Sequence, residues 1–277
     1  MTILLANRER LRTLWAFLWR DILNEMSYRL AFFLELFGIL PAVLMFFFLS
    51  KLFGDMISGP LSEYGGKYFP FVLIGIAAQN YLSLSLHSFA SSIRESQVSG
   101  TLEAVLTAPV PLSIFLLGSS LYPFVLNSLR IMIYLVVGSL FFGAGLDWRQ
   151  WPALLLVLTL TVTAVSGLGI LSASFTVLFK KGDPLNWVFS VGSWLLGGVY
   201  YPVSVLPEWL QRISGLIPMT HTLESLRLIL LSHRGLEAVA GHLFALGLWS
   251  LIILPLSLAS FRYALNQARA KGNLGHY

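Results

Sequence analysis

The sequence predicts an all-α polytopic membrane protein, and three observations lead to this prediction. Of the 277 residues, 56% are hydrophobic and only 11% are charged, whereas a soluble domain carries about 25% charged residues. Apolar segments long enough to cross a hydrocarbon core, which takes about 20 helical residues, recur along the chain. The remaining residues are too few for a soluble domain of about 100 residues with its own core. A soluble globular protein is therefore excluded.

The first 29 residues are predicted to form a cytoplasmic amphipathic helix at the membrane interface. Apolar residues recur at helical spacing, and basic residues flank them. A Trp-rich apolar stripe with basic flanks is typical of a helix that lies in the headgroup layer. Packing on a partner protein is the alternative. The stripe consists of Leu11, Leu14, Trp15, Leu18, Trp19, Ile22, Leu23 and Met26.

Six transmembrane helices are predicted within residues 30–263, followed by a cytoplasmic tail at 264–277. If the N-terminus is cytoplasmic, most of the 18 Lys and Arg residues lie on the inner side, as the positive-inside rule requires. Both termini are therefore predicted to be cytoplasmic. The six spans run from Leu30 to Phe53, Phe69 to Ala90, Ile114 to Phe142, Pro152 to Phe179, Leu185 to Val205 and Val239 to Tyr263.

The stretch between the fifth and sixth spans is predicted to form an extracellular re-entrant helical hairpin. Pro202, Pro207 and Pro218 divide it into pieces of about ten residues, each too short to cross a membrane. Pro207 suits the first turn of one short helix, which Pro218 ends. Thr220 or Thr222 is expected to cap a second short helix.

The longest non-apolar loop, residues 91–111, lies between the second and third spans on the predicted cytoplasmic side. Gly100 breaks the preceding helix, Thr101 suits an N-cap, and Pro109 ends the short helix that follows. Such a helix either docks on a protein outside the membrane or anchors the loop at the interface, and the pattern leaves both open.

Two blocks of sequence carry a family resemblance. The residues in the cytoplasmic loop are Glu95, Gly100, Thr101, Leu102, Glu103 and Leu106, and those in the outer segment are Pro202, Pro207, Trp209, Pro218, Glu224 and Arg227. The first block resembles the ATPase-coupling helix of permease subunits of ABC-2 type (ATP-binding-cassette) transporters. The second resembles the extracellular re-entrant segment of the same family. The resemblance covers nearly the whole chain.

The resemblance implies a permease subunit rather than an enzyme, without catalytic residues of its own. It implies export of an amphipathic or lipid-linked substrate (drug, lipid or glycan) across a prokaryotic plasma (inner) membrane. The expected partners are an ABC ATPase subunit, a second permease copy that forms a homodimer or a heterodimer, and membrane lipid, but no nucleic acid. ATP and Mg would be bound by the ATPase, since the sequence has no Gly-x-x-x-x-Gly-Lys-Ser/Thr motif.

Two ionisable residues fall within predicted spans. Arg130, with Asn127 three residues before it, lies deep in the third span, where an arginine costs about 2.5 to 3.5 kcal/mol. It either contacts an anionic substrate group or makes a structural bond to helix-end carbonyls or to Glu35. Glu35 lies about two turns from the cytoplasmic end of the first span. These three residues are the candidates for a substrate path.

Two other functions fit the sequence less well. An ion-coupled secondary transporter predicts internal repeats and several buried carboxylates, and neither is visible in the sequence. An intramembrane serine hydrolase needs a base near Ser166 or Ser174, and no histidine lies at a comparable depth. There is no cysteine, and the histidines show no metal-binding spacing, so no metal site is predicted. The small residues Ala164 to Ala173 predict a close helix-packing seam.

Overall fold

A computed structural model describes residues 12–23, 30, 33–34, 37–38, 40–54, 58–98, 112–179 and 184–270. Regular structure in these ranges is helical, without a strand, so the predicted all-α class is confirmed there. Residues 12–23 are also helical. The remaining helices are α1 (Leu40–Phe53), α2 (Tyr68–Val98), α3 (Leu112–Phe142), α4 (Trp151–Phe179), α5 (Pro184–Leu196), α6 (Glu208–Ser214), α7 (Pro218–Leu230) and α8 (Leu236–Ala270).

Helices α2, α3, α4 and α8 have the length and apolar composition of membrane spans. Helices α1 and α5 are apolar but shorter, and they lie where the first and fifth spans were predicted. The predicted fifth span, to Val205, was too long, because α5 ends at Leu196. Gly197 and Gly198 follow, and Gly198 has a φ of 80°, a left-handed conformation that ends helices.

Helix α4 is the central helix of the bundle. It packs most extensively against α8 and α2, and also contacts α7 and α5. A Cβ built on Gly169 would lie 2.1 Å from the carbonyl oxygen of Ser85 in α2, and one on Gly167 would lie 2.8 Å from Ile253 in α8. Small residues therefore let α4 approach two neighbours closely, which confirms the predicted packing seam.

The connections before α2, between α3 and α4 and between α7 and α8 meet at one end of the bundle, here called the loop end. The Asp147 N–H donates to the Leu230 carbonyl at 2.9 Å, and the Ser232 hydroxyl donates to the Glu63 carbonyl. One apolar cluster, which includes Phe71 and Val199, fills the core near this end. A second cluster around Phe261 fills the opposite end.

The N-terminal helical residues 12–23 lie at the end opposite to the loop end. Phe17 contacts Phe115 at the start of α3 with a centroid distance of 6.2 Å. Trp15 and Trp19 stack on each other with 6.5 Å between ring centroids, and both are exposed. The two tryptophans of the stripe thus face away from the bundle, where either a membrane interface or a partner protein can cover them.

Candidate functional site

The predicted re-entrant segment folds into two short helices, α6 and α7, at the loop end. The predicted threonine N-caps of the second helix were wrong, because α7 begins at Pro218 with Ile217 as N-cap. The fixed φ of proline fits a first helical position. Thr220 and Thr222 are buried inside α7, and the Thr222 hydroxyl donates to the Pro218 carbonyl at 3.1 Å. Pro207 is the N-cap of α6 rather than a residue of its first turn.

Arg227 of α7 joins three parts of the chain. Its side chain is fully buried, and Nη1 donates to the Gly198 carbonyl at 2.7 Å. Nη2 donates to the carbonyls of Val199 at 3.0 Å and Phe71 at 3.2 Å, and the guanidinium carbon lies 3.4 Å from the centroid of the Phe71 ring. The arginine therefore ties α7 to α2 and to the residues that follow α5. A positive charge is also favourable near the C-terminus of α5, because the helix dipole is negative there.

Gly75 in α2 permits this arrangement. A Cβ built on it would lie 2.2 Å from the Val199 carbonyl oxygen and 3.1 Å from Arg227 Nη2. Because glycine carries no side chain, the backbone after α5 reaches the surface of α2 directly. A glycine within an apolar helix is the sequence signal that could have indicated this close contact.

Glu224, one turn before Arg227, accepts a hydrogen bond from Tyr64. The Tyr64 hydroxyl lies 2.6 Å from Glu224 Oε2. Burial first, and the neighbouring carboxylate second, raise the pKa of Tyr64, so it remains a neutral donor. Tyr64 was not predicted as a site residue. This bond ties α7 to the loop before α2.

The remaining predicted members of the segment differ in their surroundings. Pro202 is buried and precedes the short 3₁₀ turn Val203–Val205. Trp209 in α6 is 63% exposed. The segment therefore has a polar anchor inside the bundle, at Glu224 and Arg227, and an exposed aromatic side chain at its surface.

A pair of histidines that the sequence did not predict links α7 to α8. The Nδ1 atoms of His221 and His242 are 3.0 Å apart, and His221 Nε2 lies 2.8 Å from the Gly215 carbonyl. That carbonyl can only accept, so His221 carries a proton on Nε2, and a neutral His221 then accepts from Nδ1–H of His242. The separation of 21 positions between the two histidines explains why local spacing did not predict the pair.

Two of the three candidate substrate-path residues, Asn127 and Arg130, lie on α3. Asn127 is buried, and its Nδ2 has no hydrogen-bond partner in the described part of the chain. Arg130 is partly buried one turn further along. Glu35 lies outside the described residues, as do Gly100, Thr101, Leu102, Glu103 and Leu106 of the predicted coupling helix. Glu95 is exposed near the end of α2.

The polar groups of these residues mainly bind other groups of the protein. The described ranges contain no group of three or more metal-binding side chains. The hydroxyl of Ser174, once considered as a nucleophile, donates to the Ile170 carbonyl at 2.8 Å. The hydrogen bonds of the Arg227 side chain go to backbone carbonyls of Phe71, Gly198 and Val199. The arrangement ties the segment between α5 and α8 to the bundle.

Comparisons with known proteins agree with this architecture. The chain is 26% identical to the inner membrane transport permease YadH of Escherichia coli (strain K12) over 190 residues, 68% of this chain and 73% of that protein. It is 24% identical to nodulation protein J of Bradyrhizobium diazoefficiens over 262 residues, 91% of this chain and 94% of that protein.

A third relative is the linearmycin resistance permease protein LnrN of Bacillus subtilis, 23% identical over 146 residues, 53% of this chain and 37% of that protein. The sequence profile described as "ABC-2 type transporter" matches residues 12–231, which is well over half of the chain. The protein is therefore a membrane transport permease that belongs to the ABC-2 type transporter family.

Proposed function

We propose that this permease exports an amphipathic or lipid-linked substrate across a prokaryotic inner membrane, driven by ATP hydrolysis on a partner chain. The observation that carries the proposal is the family match over residues 12–231. It is supported by relatives that are named an inner membrane transport permease and a linearmycin resistance permease. The same match argues against the ion-coupled secondary transporter.

The proposed transporter contains two permease copies, identical or related, and ABC ATPase subunits that bind ATP and Mg. Several large apolar side chains of α1 and α5 are exposed in the single chain, among them Phe48 and Trp187. Such surfaces require lipid or another protein around them. The substrate path is proposed to lie between the two copies and to face each side of the membrane alternately.

Asn127 and Arg130 are proposed to contact the substrate along this path, together with Glu35. The buried Asn127 amide, whose Nδ2 meets no acceptor within the described residues, supports this role for α3. An arginine can bind a phosphate or carboxylate of the substrate with two parallel hydrogen bonds.

The coupling of ATP hydrolysis to transport is proposed to act through two cytoplasmic elements. One is the helix predicted from Gly100 to Ala108, and the other is the N-terminal helix, whose Phe17 contacts α3. Closure of the ATPase subunits would push on both elements as rigid bodies.

The test combines isolation from native membranes with a double substitution in the predicted coupling helix. The tagged permease is purified and its partners are identified by mass spectrometry, where we expect an ABC ATPase. Leu102→Asp with Glu103→Arg should abolish ATP-driven movement of a fluorescent phospholipid in proteoliposomes, while the permease stays inserted and folded. Glu208→Arg, at an exposed position of α6, is the matched control.

Two results would contradict the proposal. If no ABC ATPase co-purifies and an ion gradient alone drives transport, the permease is not an ATP-driven exporter. If the double variant retains its ATPase and transports normally, the helix from Gly100 to Ala108 is only an interfacial anchor.

A further inference from the structure

An apolar crevice within a single copy of the permease is separate from the proposed path between copies. Its volume is about 570 Å³, and residues of α2, α3, α4 and α7 line it. This volume lies within the range of about 300 to 1,000 Å³ that small-molecule sites occupy. Two lining side chains, Met132 of α3 and Leu155 of α4, are exposed. The crevice therefore opens between α3 and α4 onto the exposed surface of the chain.

The depth of the crevice matches one leaflet of a bilayer. Its lining follows α4 from Trp151 to Thr163, a length of about 18 Å at a rise of about 1.5 Å per residue. Half of a hydrocarbon core of about 30 Å is about 15 Å. Trp148 and the exposed Trp151 line the part of the crevice nearest the loop end, here called its mouth, and tryptophan is typical of the membrane interface. An acyl chain that enters there can follow α4 to the bilayer centre.

The hydroxyl groups in the lining do not demand a polar guest, because other protein groups already bind them. The Thr161 hydroxyl donates to the Val157 carbonyl at 2.8 Å, and the Thr159 hydroxyl donates to the Leu155 carbonyl at 2.7 Å. Thr163, Thr222, Ser128 and Tyr81 also have partners. Hydroxyls that are already paired add little cost when an apolar group displaces water next to them.

A polar pocket of about 680 Å³ adjoins the mouth of the crevice. One short stretch of chain lines both spaces, because Trp148 and Trp151 line the crevice while Asp147, Arg149 and Gln150 line the pocket. Asp147 already binds His233 at 2.7 Å and the Arg149 N–H at 2.9 Å. No carboxylate in the described ranges lies within ion-pairing distance of the Arg149 guanidinium.

We infer that this crevice binds a phospholipid, with an acyl chain between α3 and α4 and the phosphate group beside Arg149. From the inside of the crevice outward, its features match the parts of a lipid. The apolar lining suits an acyl chain, the tryptophans at the mouth suit the membrane interface, and Arg149 suits the phosphate group. In the proposed orientation, the lipid belongs to the outer leaflet. The site lies within one copy, so lipid binding does not require dimerisation or ATP.

The test uses the purified permease in nanodiscs that contain phosphatidylglycerol with a photoreactive group on one acyl chain. Cross-linked residues are located by mass spectrometry, and we expect them to concentrate on Met132, Leu155 and Leu158. Val162→Trp fills the crevice and should lower this labelling several-fold. Leu156→Trp is the matched control, because Leu156 is on the same helix and exposed but does not line the crevice; labelling should stay unchanged.

Arg149→Glu tests the headgroup contact without altering the apolar lining. It should lower phosphatidylglycerol labelling several-fold, and Arg149→Lys should lower it less because the positive charge remains. Equal labelling of Leu155 and of exposed residues of α8 such as Leu251, unchanged by Val162→Trp, would overturn the inference. If Val162→Trp does not fold, two other results decide. Unchanged labelling in Arg149→Glu refutes the phosphate contact. Labelling of the parent protein that is spread equally over the crevice and the exposed residues of α8 refutes the acyl-chain site.

Discussion

Arg227 shows how a single side chain can hold an irregular segment. It is the largest fully buried side chain in the described part of the protein, and its donors serve carbonyls of Phe71, Gly198 and Val199. Helix α5 ends before Gly198, so the carbonyls beyond it need donors from elsewhere. The guanidinium supplies several donors in one plane, which a lysine cannot do.

We expect Arg227→Lys to lower the melting temperature of the purified permease in detergent. Each buried carbonyl that loses its donor costs about 1 to 3 kcal/mol, and the single ammonium cannot reach all three. Arg212→Lys, in the exposed last turn of α6, is the control and should melt like the parent protein. Equal melting temperatures for both variants would show that the Arg227 hydrogen bonds do not hold the segment.

Asp147 makes the stability at the loop end depend on pH. The Arg149 N–H first, and His233 second, lower the pKa of the Asp147 carboxyl group. A carboxylate with a lowered pKa stabilises the fold above its unfolded pKa of about 3.9, and this contribution is lost as the pH falls through the folded pKa. We expect Asp147→Asn to melt below the parent protein at neutral pH.

The difference between the two melting temperatures should begin to shrink as the pH falls below about 4 and disappear below the lowered pKa of folded Asp147, because both proteins then carry a neutral side chain at this position. Melting curves recorded from neutral to acidic pH measure it. Glu208→Gln, at an exposed position of α6, serves as the control. A difference that stays constant down to the lowest pH would rule out the carboxylate as its source.

The sequence could place these residues in segments but could not predict their partners. Arg227 was predicted in the outer segment, yet its acceptors lie 29 residues away at Gly198 and 156 residues away at Phe71. The histidine pair of α7 and α8 has the same property. Periodicity reports which face of an element is apolar, and it carries no information on contacts between distant elements.

At the scale of elements, long apolar helices were predictable, whereas their ends depended on special residues. The limits of α3 and α4 follow from length and hydropathy. The predicted end of α5 was too late, because Gly197 and Gly198 stand within an apolar stretch of the sequence and do not interrupt it. The start of α7 was misplaced because Thr220 and Thr222 are good N-caps, but Pro218 fits the first helical turn and places both threonines in the interior.

Close packing of α2 against α4 gives a prediction at this scale. A Cβ at position 169 would lie 2.1 Å from the Ser85 carbonyl oxygen and 2.7 Å from the Phe89 ring. Backbone cannot move aside without shifting a helix, so Gly169→Ala should destabilise the protein by about 1 to 3 kcal/mol. Thermal melting of the purified variant provides the measurement.

Gly247→Ala is the matched control, because a Cβ at this helical position in α8 meets no atom within 4 Å. Alanine is the better helix former of the two, so this control should melt at the same temperature as the parent protein or higher. If Gly169→Ala is equally stable, the contact between α2 and α4 is looser than the structure indicates.

At the scale of the whole molecule, the alternation of helix direction explains which segments meet. The connections before α2, between α3 and α4, and before α8 gather at the loop end, where Arg234 lies 3.9 Å from Glu63. The N-terminal helix contacts the start of α3 at the other end. The distribution of Lys and Arg in the sequence predicts the same division of segments, because the chain changes sides each time it crosses the membrane.

The last prediction concerns the side of the membrane on which each end of the bundle lies. Most basic residues fall on the side of both termini, and the positive-inside rule places that side in the cytoplasm. Lys67, Arg149 and Arg212 are exposed at or near the loop end, so cysteines at these positions should react with an impermeant thiol reagent in intact cells. Ser99→Cys should react only after permeabilisation. The natural sequence has no cysteine, so each labelling signal has a single source, and labelling of residue 99 from outside would overturn the topology.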